Sequence, residues 1–209
     1  LVVSAVSGFL YNGSFPALHA WPLALLSLFG LGLALLGRSF WSAVLVGLVF
    51  GLTFWLSLIH WLTLYLGPVP WLALGILQAL FVGVFSGFLA IVLNKGNTLF
   101  DSLWWKIPGI AVIASAVWTL RESVTSVFPY GGFSWGRLAH SQSESPYAQL
   151  VAWTGIAGLS FLVAIIAFLA LQVLRQPSRT LLLVPALFAV VLIVIPAFPV
   201  TISGEMKVL

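Results

Sequence analysis

Trp71-Leu-Ala-Leu-Gly-Ile-Leu-Gln-Ala-Leu-Phe-Val-Gly-Val-Phe-Ser-Gly-Phe-Leu-Ala-Ile-Val-Leu93 carries no charged side chain in 23 positions. As a helix rising about 1.5 Å per residue, it reaches about 35 Å, enough to cross the roughly 30 Å hydrocarbon core of a bilayer. Pro68 and Pro70 mark the turn before it, and a polar loop with some aromatics, Asn94 to Lys106, follows. Working outward, the same pattern recurs. Residues 1–11 read as the back half of a helix, broken by Asn12-Gly-Ser-Phe-Pro16. A second helix is expected at 18–36, ended by Gly37-Arg38-Ser39, and a third from Phe40 to about Trp61. A fifth should start near Pro108, read as a first-turn proline, and end near Phe128. Pro129 to Pro146 is the longest polar stretch. A sixth helix spans about 147–174, and a seventh runs from Thr180 to about Phe198, with a bend expected at Pro185.

The expected fold is therefore an all-α membrane protein, a polytopic bundle of about seven transmembrane helices with the first one truncated. Composition agrees. Of the 209 residues, 62% are hydrophobic and 6% charged, against about 25% charged in a soluble domain. Ten Trp and 16 Phe suit the two membrane interfaces. The eight basic residues form no run, so no nucleic-acid partner is expected. With no cysteine there is no disulfide, thiolate ligand or cysteine nucleophile. No metal-spaced His cluster or glycine-rich phosphate loop is visible, and no cofactor or metal site is expected.

Charge sorts by loop. The turns after helices two, four and six hold Arg38, Lys95, Lys106, Arg175 and Arg179, against the single acid Asp101. The other turns hold Arg121, Arg137 and Lys207 against Glu122, Glu144 and Glu205. The positive-inside rule then places the Arg38, Lys95 and Arg175 loops in the cytoplasm. The Pro129–Pro146 loop and the C-terminal residues face out, in a plasma membrane.

Few residues look chemical. Arg121 and Glu122 sit near the end of helix five, where ionisable groups are costly. They read either as a functional pair or as an interfacial pair with Arg121 snorkelling to headgroups. His19 beside Trp21 and His60 beside Trp61 read as interfacial belt residues. The Pro129–Pro146 loop is the most unusual segment, with three glycines, three aromatics ahead of its polar half, then Arg137, His140 and Glu144. His140, Ser141 and Glu144 do not make a hydrolytic triad, because adjacent residues point apart and triads are assembled from distant segments.

Ordered motifs along the whole chain resemble apolipoprotein N-acyltransferases of the actinobacterial type. They are Phe15-Pro16 with Trp21-Pro22, Gly47-Leu-Val-Phe-Gly51 with His60-Trp61, and Trp118 four before Glu122. Gly132-Phe-Ser-Trp-Gly-Arg-Leu-Ala-His-Ser-Gln142, then Pro146, Gly155 and Gly158-Leu-Ser-Phe161, complete the set. Two positions depart from the pattern: Ser134 stands where the family has proline, and Thr125 where it often has arginine.

The resemblance implies transfer of an acyl chain from a phospholipid donor to the α-amino group of a diacylglyceryl-cysteine at a lipoprotein N-terminus. It assigns the chemistry to a nitrilase-like domain with a Glu, Lys and Cys triad, inserted after the seventh helix. Residues 1–199 would then be the membrane bundle and 200–209 the lead into that domain. The chain reads as a fragment without the catalytic residues. Gly132, Phe133, Trp135, Ser141 and Gln142 are the expected loop contacts to acyl chains or to the catalytic domain, with Trp118, Arg121 and Glu122 in support. The alternative is a membrane anchor for a polyprenyl-phosphate mannose synthase, since a domain of this kind partners that enzyme in some actinobacteria.

Overall fold

Apolar stretches bounded by proline, glycine and serine become helices here because a bilayer offers the backbone no hydrogen-bonding partner but itself. The computed structural model describes residues 1–16, 18–99, 102–176 and 183–194. Eight α-helices are present among them and no strand: α1 Val2–Gly13, α2 Pro22–Leu35, α3 Phe40–Leu58, α4 Leu62–Leu66, α5 Pro68–Lys95, α6 Leu103–Thr125, α7 Val151–Arg175 and α8 Leu183–Val194. All but the five-residue α4 correspond to expected spans. Four helical stretches are long and apolar enough to cross a membrane: Phe40–Leu58, Pro68–Lys95, Trp105–Thr125 and Ala148–Arg175. The protein is a helical membrane bundle.

Six helices close a ring. α1 packs on α2 and α3, α3 on α5, α5 on α6, α6 on α7, and α7 back on α2, while α8 packs on α7. Lipid tails are as apolar as leucine, so close packing and interhelical hydrogen bonds hold such a ring together. The α3–α5 seam shows this. A Cβ on Gly51 would lie 2.7 Å from Ala79 Cα, and one on Gly47 would strike the Ser86 side chain. Serines tie the other helices: Ser4 Oγ donates to the Val46 carbonyl and Ser27 Oγ to the Ser7 carbonyl, both at 2.6 Å. At one end of the bundle, Asn94 accepts from Gly37 N (2.8 Å) and donates to the Leu35 and Arg38 carbonyls, while Arg175 donates to the Leu93 carbonyl (2.6 Å). These contacts join α2, α5 and α7 at the end where Arg38, Lys95 and Arg175 lie.

Several expected boundaries move. α6 begins at Leu103, so Pro108 lies inside the helix instead of opening it, and α6 ends at Thr125, not Phe128. Neighbouring helices can absorb the carbonyl that such a proline frees. α2 starts at Pro22, four residues later than expected, because the chain from Leu18 to Trp21 is not helical and holds His19 at φ 52°. α3 ends at Leu58, and the polar loop after α5 shrinks as α5 runs to Lys95. The sixth expected helix is broken at Gly155 (φ 69°, ψ 178°), a backbone geometry open essentially to glycine alone. Pro185 lies within the described part of α8, Leu183–Val194, and the residues just before it lie outside the described ones. Asp101, Arg179, Glu205, Lys207 and the expected lead-in at 200–209 lie outside the described residues.

Candidate functional site

The other end of the bundle carries the segment 126–150, and there the polar side chains turn inward. α6 delivers Trp118, Arg121 and Glu122 to the ring's interior, where they are 3%, 1% and 2% exposed. The Arg121 guanidinium carbon sits 4.2 Å from the centroid of the Trp118 ring, a cation–π contact one helical turn apart. Arg121 Nη2 donates to Glu122 Oε1 at 3.1 Å. The two carboxylate oxygens differ. Oε1 also accepts from the Leu138 backbone N–H at 2.8 Å, while Oε2 has no partner among the described residues. Arg121 is thus a buried pair member, not a side chain reaching out to headgroups as the interfacial reading had it.

Leu138 opens a 3-10 helix, Leu138–Gln142, and its neighbour Ala139 donates its N–H to Ser160 Oγ of α7 at 3.0 Å. The first two amides of this turn are therefore held by α6 and α7. The segment before it folds back onto the end of α6. Phe133 N–H donates to the Thr125 carbonyl at 2.7 Å, and Arg137 donates to Ser126 Oγ. The backbone passes so close that a Cβ on Gly132 (φ 77°) would collide with the Ser126 carbonyl carbon and Val127 N, so only glycine fits. A side chain at Gly136 would strike the Trp55 indole.

That fold-back builds an aromatic wall. Phe133 and Trp135 stack (5.9 Å, 7°), Trp135 stacks on Trp61 (5.3 Å, 29°), and Phe133 meets Trp55 (5.7 Å). Beside it lies a cavity of about 590 Å³ lined by Asn12, Phe15, Pro16, Ser57, Leu58, Trp61, Ser134, Trp135 and His140. Its lining is mostly apolar, with Asn12, Ser57, Ser134 and His140 as the polar positions, a balance usual for a site that takes a largely hydrophobic ligand. Trp135 is 58% exposed at the rim, and His140 Nδ1 lies 3.1 Å from the Trp135 carbonyl oxygen. Outside the cavity, His19 Nδ1 pairs with Glu144 Oε1 at 3.0 Å, joining the α1–α2 turn to the loop.

The match to known sequences falls on this architecture. The family model described as the apolipoprotein N-acyltransferase N-terminal domain matches residues 7–169. The chain belongs to that family. An apolipoprotein N-acyltransferase of Haemophilus ducreyi (strain 35000HP / ATCC 700724) is 30% identical over 92 residues, which is 44% of this chain and 18% of that relative. The chain thus matches less than a fifth of that relative's length.

Within this domain, the expected site residues divide by position. Gly132, Phe133 and Trp135 form the fold-back and the aromatic wall, and of the three only Trp135 lines the large cavity. Ser141 and Gln142 are buried, 2% and 0% exposed. Ser141 Oγ donates to the Leu138 carbonyl and Gln142 Nε2 to Ser141 Oγ. They build the loop from within instead of presenting a surface. Trp118, Arg121 and Glu122 lie together at the loop's root. His60 packs edge-on against Trp71 (5.5 Å), away from the cavity lining. Sequence reasoning missed Tyr11, which is buried with its ring edge-on to Trp118 (5.8 Å), and Trp55 and Ser160 as structural members, and Asn12 and Ser57 as cavity members. Ser160 carried a signal, its place in Gly158-Leu-Ser-Phe161, and Phe15-Pro16 marked the cavity's edge; Tyr11, Trp55 and Ser57 carried none beyond apolar periodicity.

Proposed function

We propose that this bundle is the membrane module of an apolipoprotein N-acyltransferase, and that its large cavity receives an acyl chain during transfer from a phospholipid to a diacylated lipoprotein N-terminus. One observation carries the reading: the loop with the family's glycine, aromatic and Ser-Gln pattern walls a 590 Å³ apolar cavity with Trp61 and Trp135 at its rim. Both substrates are diacyl lipids. Each methylene lifted from the bilayer into water costs about 0.8 kcal/mol, so a cavity reached sideways from the membrane avoids that cost. The stacked Phe133, Trp135 and Trp61 rings would give the chain a rigid apolar wall, and Asn12, Ser57, Ser134 and His140 would meet its polar end. Glu122, Arg121 and Ser160 would hold the wall in place through the Leu138 and Ala139 amides, with Ser141 and Gln142 keeping the turn's shape.

In this reading the loop end faces away from the cytoplasm. Support comes from the charges: Arg38, Lys95, Lys106 and Arg175 sit at the opposite end with no described acid, while Arg121 and Arg137 are matched by Glu122 and Glu144 at the loop end. The acyl-transfer chemistry itself would be performed by a nitrilase-like domain docked on the loop end. Trp135→Ala tests the cavity's role. Acylation of a diacylated lipopeptide by the full-length enzyme should fall at least tenfold with Trp135→Ala and recover largely with Trp135→Phe, at unchanged thermal stability. Full activity in the alanine variant would remove the cavity from the reaction.

A further inference from the structure

The basic residues at the end of the bundle opposite the cavity take no part in the proposed transfer. Arg38, Lys95, Lys106 and Arg175 lie there, against Asp101 as the one acid that the sequence puts in the turns at that end, so the end is positive with Asp101 included. The two described ion pairs, His19–Glu144 and Arg121–Glu122, both lie at the loop end. Two of the bases are held side by side. Asn94 accepts from the Gly37 N–H and donates to the Arg38 carbonyl, which ties the turn between α2 and α3 to α5 one residue before Lys95. Both Arg38 and Lys95 are exposed. Lys95 also closes the outward stripe of α5, where Val84, Phe88, Ile91 and Lys95 follow at spacings of four, three and four and are all exposed. On α3 a second exposed stripe, Trp41 and Leu45, begins just after Arg38. Phe40 joins the two stripes, its ring edge-on to Phe88 (5.4 Å) and to Trp41 (5.1 Å). Two apolar tracks therefore run side by side away from two adjacent bases, and Trp41 stands where an indole marks the headgroup level of a bilayer.

We propose that this face holds one diacyl phospholipid whose headgroup carries a net negative charge. Its phosphate sits between the Arg38 guanidinium and the Lys95 ammonium, and its two chains follow the α5 and α3 stripes. Charge complementarity selects the class. A zwitterionic headgroup brings its own ammonium against the two bases, whereas an anionic one brings only acceptors. Ser57 of the cavity lining stands about 25 Å along α3 from Phe40, so this lipid is not the one that enters the cavity. The site stands without the transferase reading, because it needs only an anionic lipid in the membrane.

The test uses the full-length protein in phosphatidylcholine nanodiscs at low salt, with a small fraction of a photoreactive lipid. That lipid is either phosphatidylglycerol or phosphatidylcholine, with identical diazirine-bearing chains, and labelling is mapped by peptide mass spectrometry. Residues 38–48 and 84–95 should be labelled at least about tenfold more by phosphatidylglycerol, at about fivefold per base, and residues 57–66 about equally by the two. Arg38→Gln with Lys95→Gln should bring the ratio close to one at an unchanged unfolding temperature, and Arg38→Lys with Lys95→Arg should keep it. Dissolved glycerol phosphate should leave the ratio as it is. Equal labelling by the two lipids, a ratio untouched by the double glutamine variant, or a preference of the same size at residues 57–66 would overturn the proposal. So would loss of the ratio to glycerol phosphate, which would make this a site for a free phosphate.

Discussion

Glu122→Ala is the perturbation that asks most of the loop-end architecture, because one carboxylate oxygen holds two unrelated partners. It accepts from Arg121 Nη2 at 3.1 Å and from the Leu138 amide at 2.8 Å, with both side chains of the ion pair at most 3% exposed. At an effective dielectric of about 20, unit charges this close attract by about 5 kcal/mol, set against a desolvation cost of several kcal/mol for each buried ion. Removing one partner leaves the Arg121 guanidinium buried and uncompensated, a loss of about 3 to 5 kcal/mol. The orphaned Leu138 N–H adds about 1 to 3 kcal/mol. Glu122→Gln separates the two contributions, since it keeps an acceptor for Leu138 and removes the charge. Arg121→Met with Glu122→Gln should recover at least half of either single loss, because replacing a buried ion pair with neutral groups of similar volume is close to neutral. The assay is reversible unfolding in micelles, paired with hydrogen exchange at the Leu138 amide. Exchange there should accelerate at least tenfold in Glu122→Ala and stay within about threefold of wild type in Glu122→Gln. Single losses below about 1 kcal/mol that add independently in the double variant would refute the reasoning, since the pair would then contribute nothing that its members do not contribute alone.

Further outcomes follow from the same geometry. Gly132→Ala should destabilise the protein by at least about 1 to 3 kcal/mol, read as a lower unfolding temperature, because the new Cβ meets the Ser126–Val127 backbone at φ 77°. Ser160→Ala should cost about 1 to 3 kcal/mol by stranding the Ala139 N–H and should speed exchange at that amide, with Ser160→Thr milder. Gly51→Leu should prise α3 from α5, because a Cβ there already lies 2.7 Å from Ala79 Cα, and it should lower the unfolding temperature more than Gly37→Ala, whose added Cβ meets nothing within 4 Å and carries only the strain of a φ of 69°.

Much of this fold can be read from the chain. Charge-free runs such as Trp71–Leu93 leave the backbone no choice but helix in a bilayer, and the expected span there lies inside the observed α5. The Pro129–Pro146 loop stands out because glycines, aromatics and charges seldom crowd together without a reason, and the large cavity takes part of its wall from it. What stays illegible depends on the tertiary surroundings. Pro108 sits within α6 because neighbours can absorb the freed carbonyl, which no local pattern announces. Arg121 is long enough to reach headgroups from a helix end, and only the Trp118 face below it and Glu122 beside it decide that it stays inside. Ser141 and Gln142 belong to a polar run and read as surface, yet the 3-10 turn rotates them inward. The break at Gly155 is invisible in a chain with 19 glycines, most of which sit quietly in helices.

The central claim is that this bundle serves N-acylation of lipoproteins through the cavity beside Trp135. The most direct measurement is the intact mass of a reporter lipoprotein's N-terminal peptide, made in a bacterial strain whose only N-acyltransferase is the protein carrying this chain. The wild type should give the triacylated mass. Ser57→Trp, which fills the cavity from α3 while leaving the Arg121–Glu122 pair and the loop contacts alone, should give the diacylated mass from a stably folded protein. A diacylated product from the wild type would contradict the acyltransferase reading, and a triacylated product from Ser57→Trp would contradict the role assigned to the cavity.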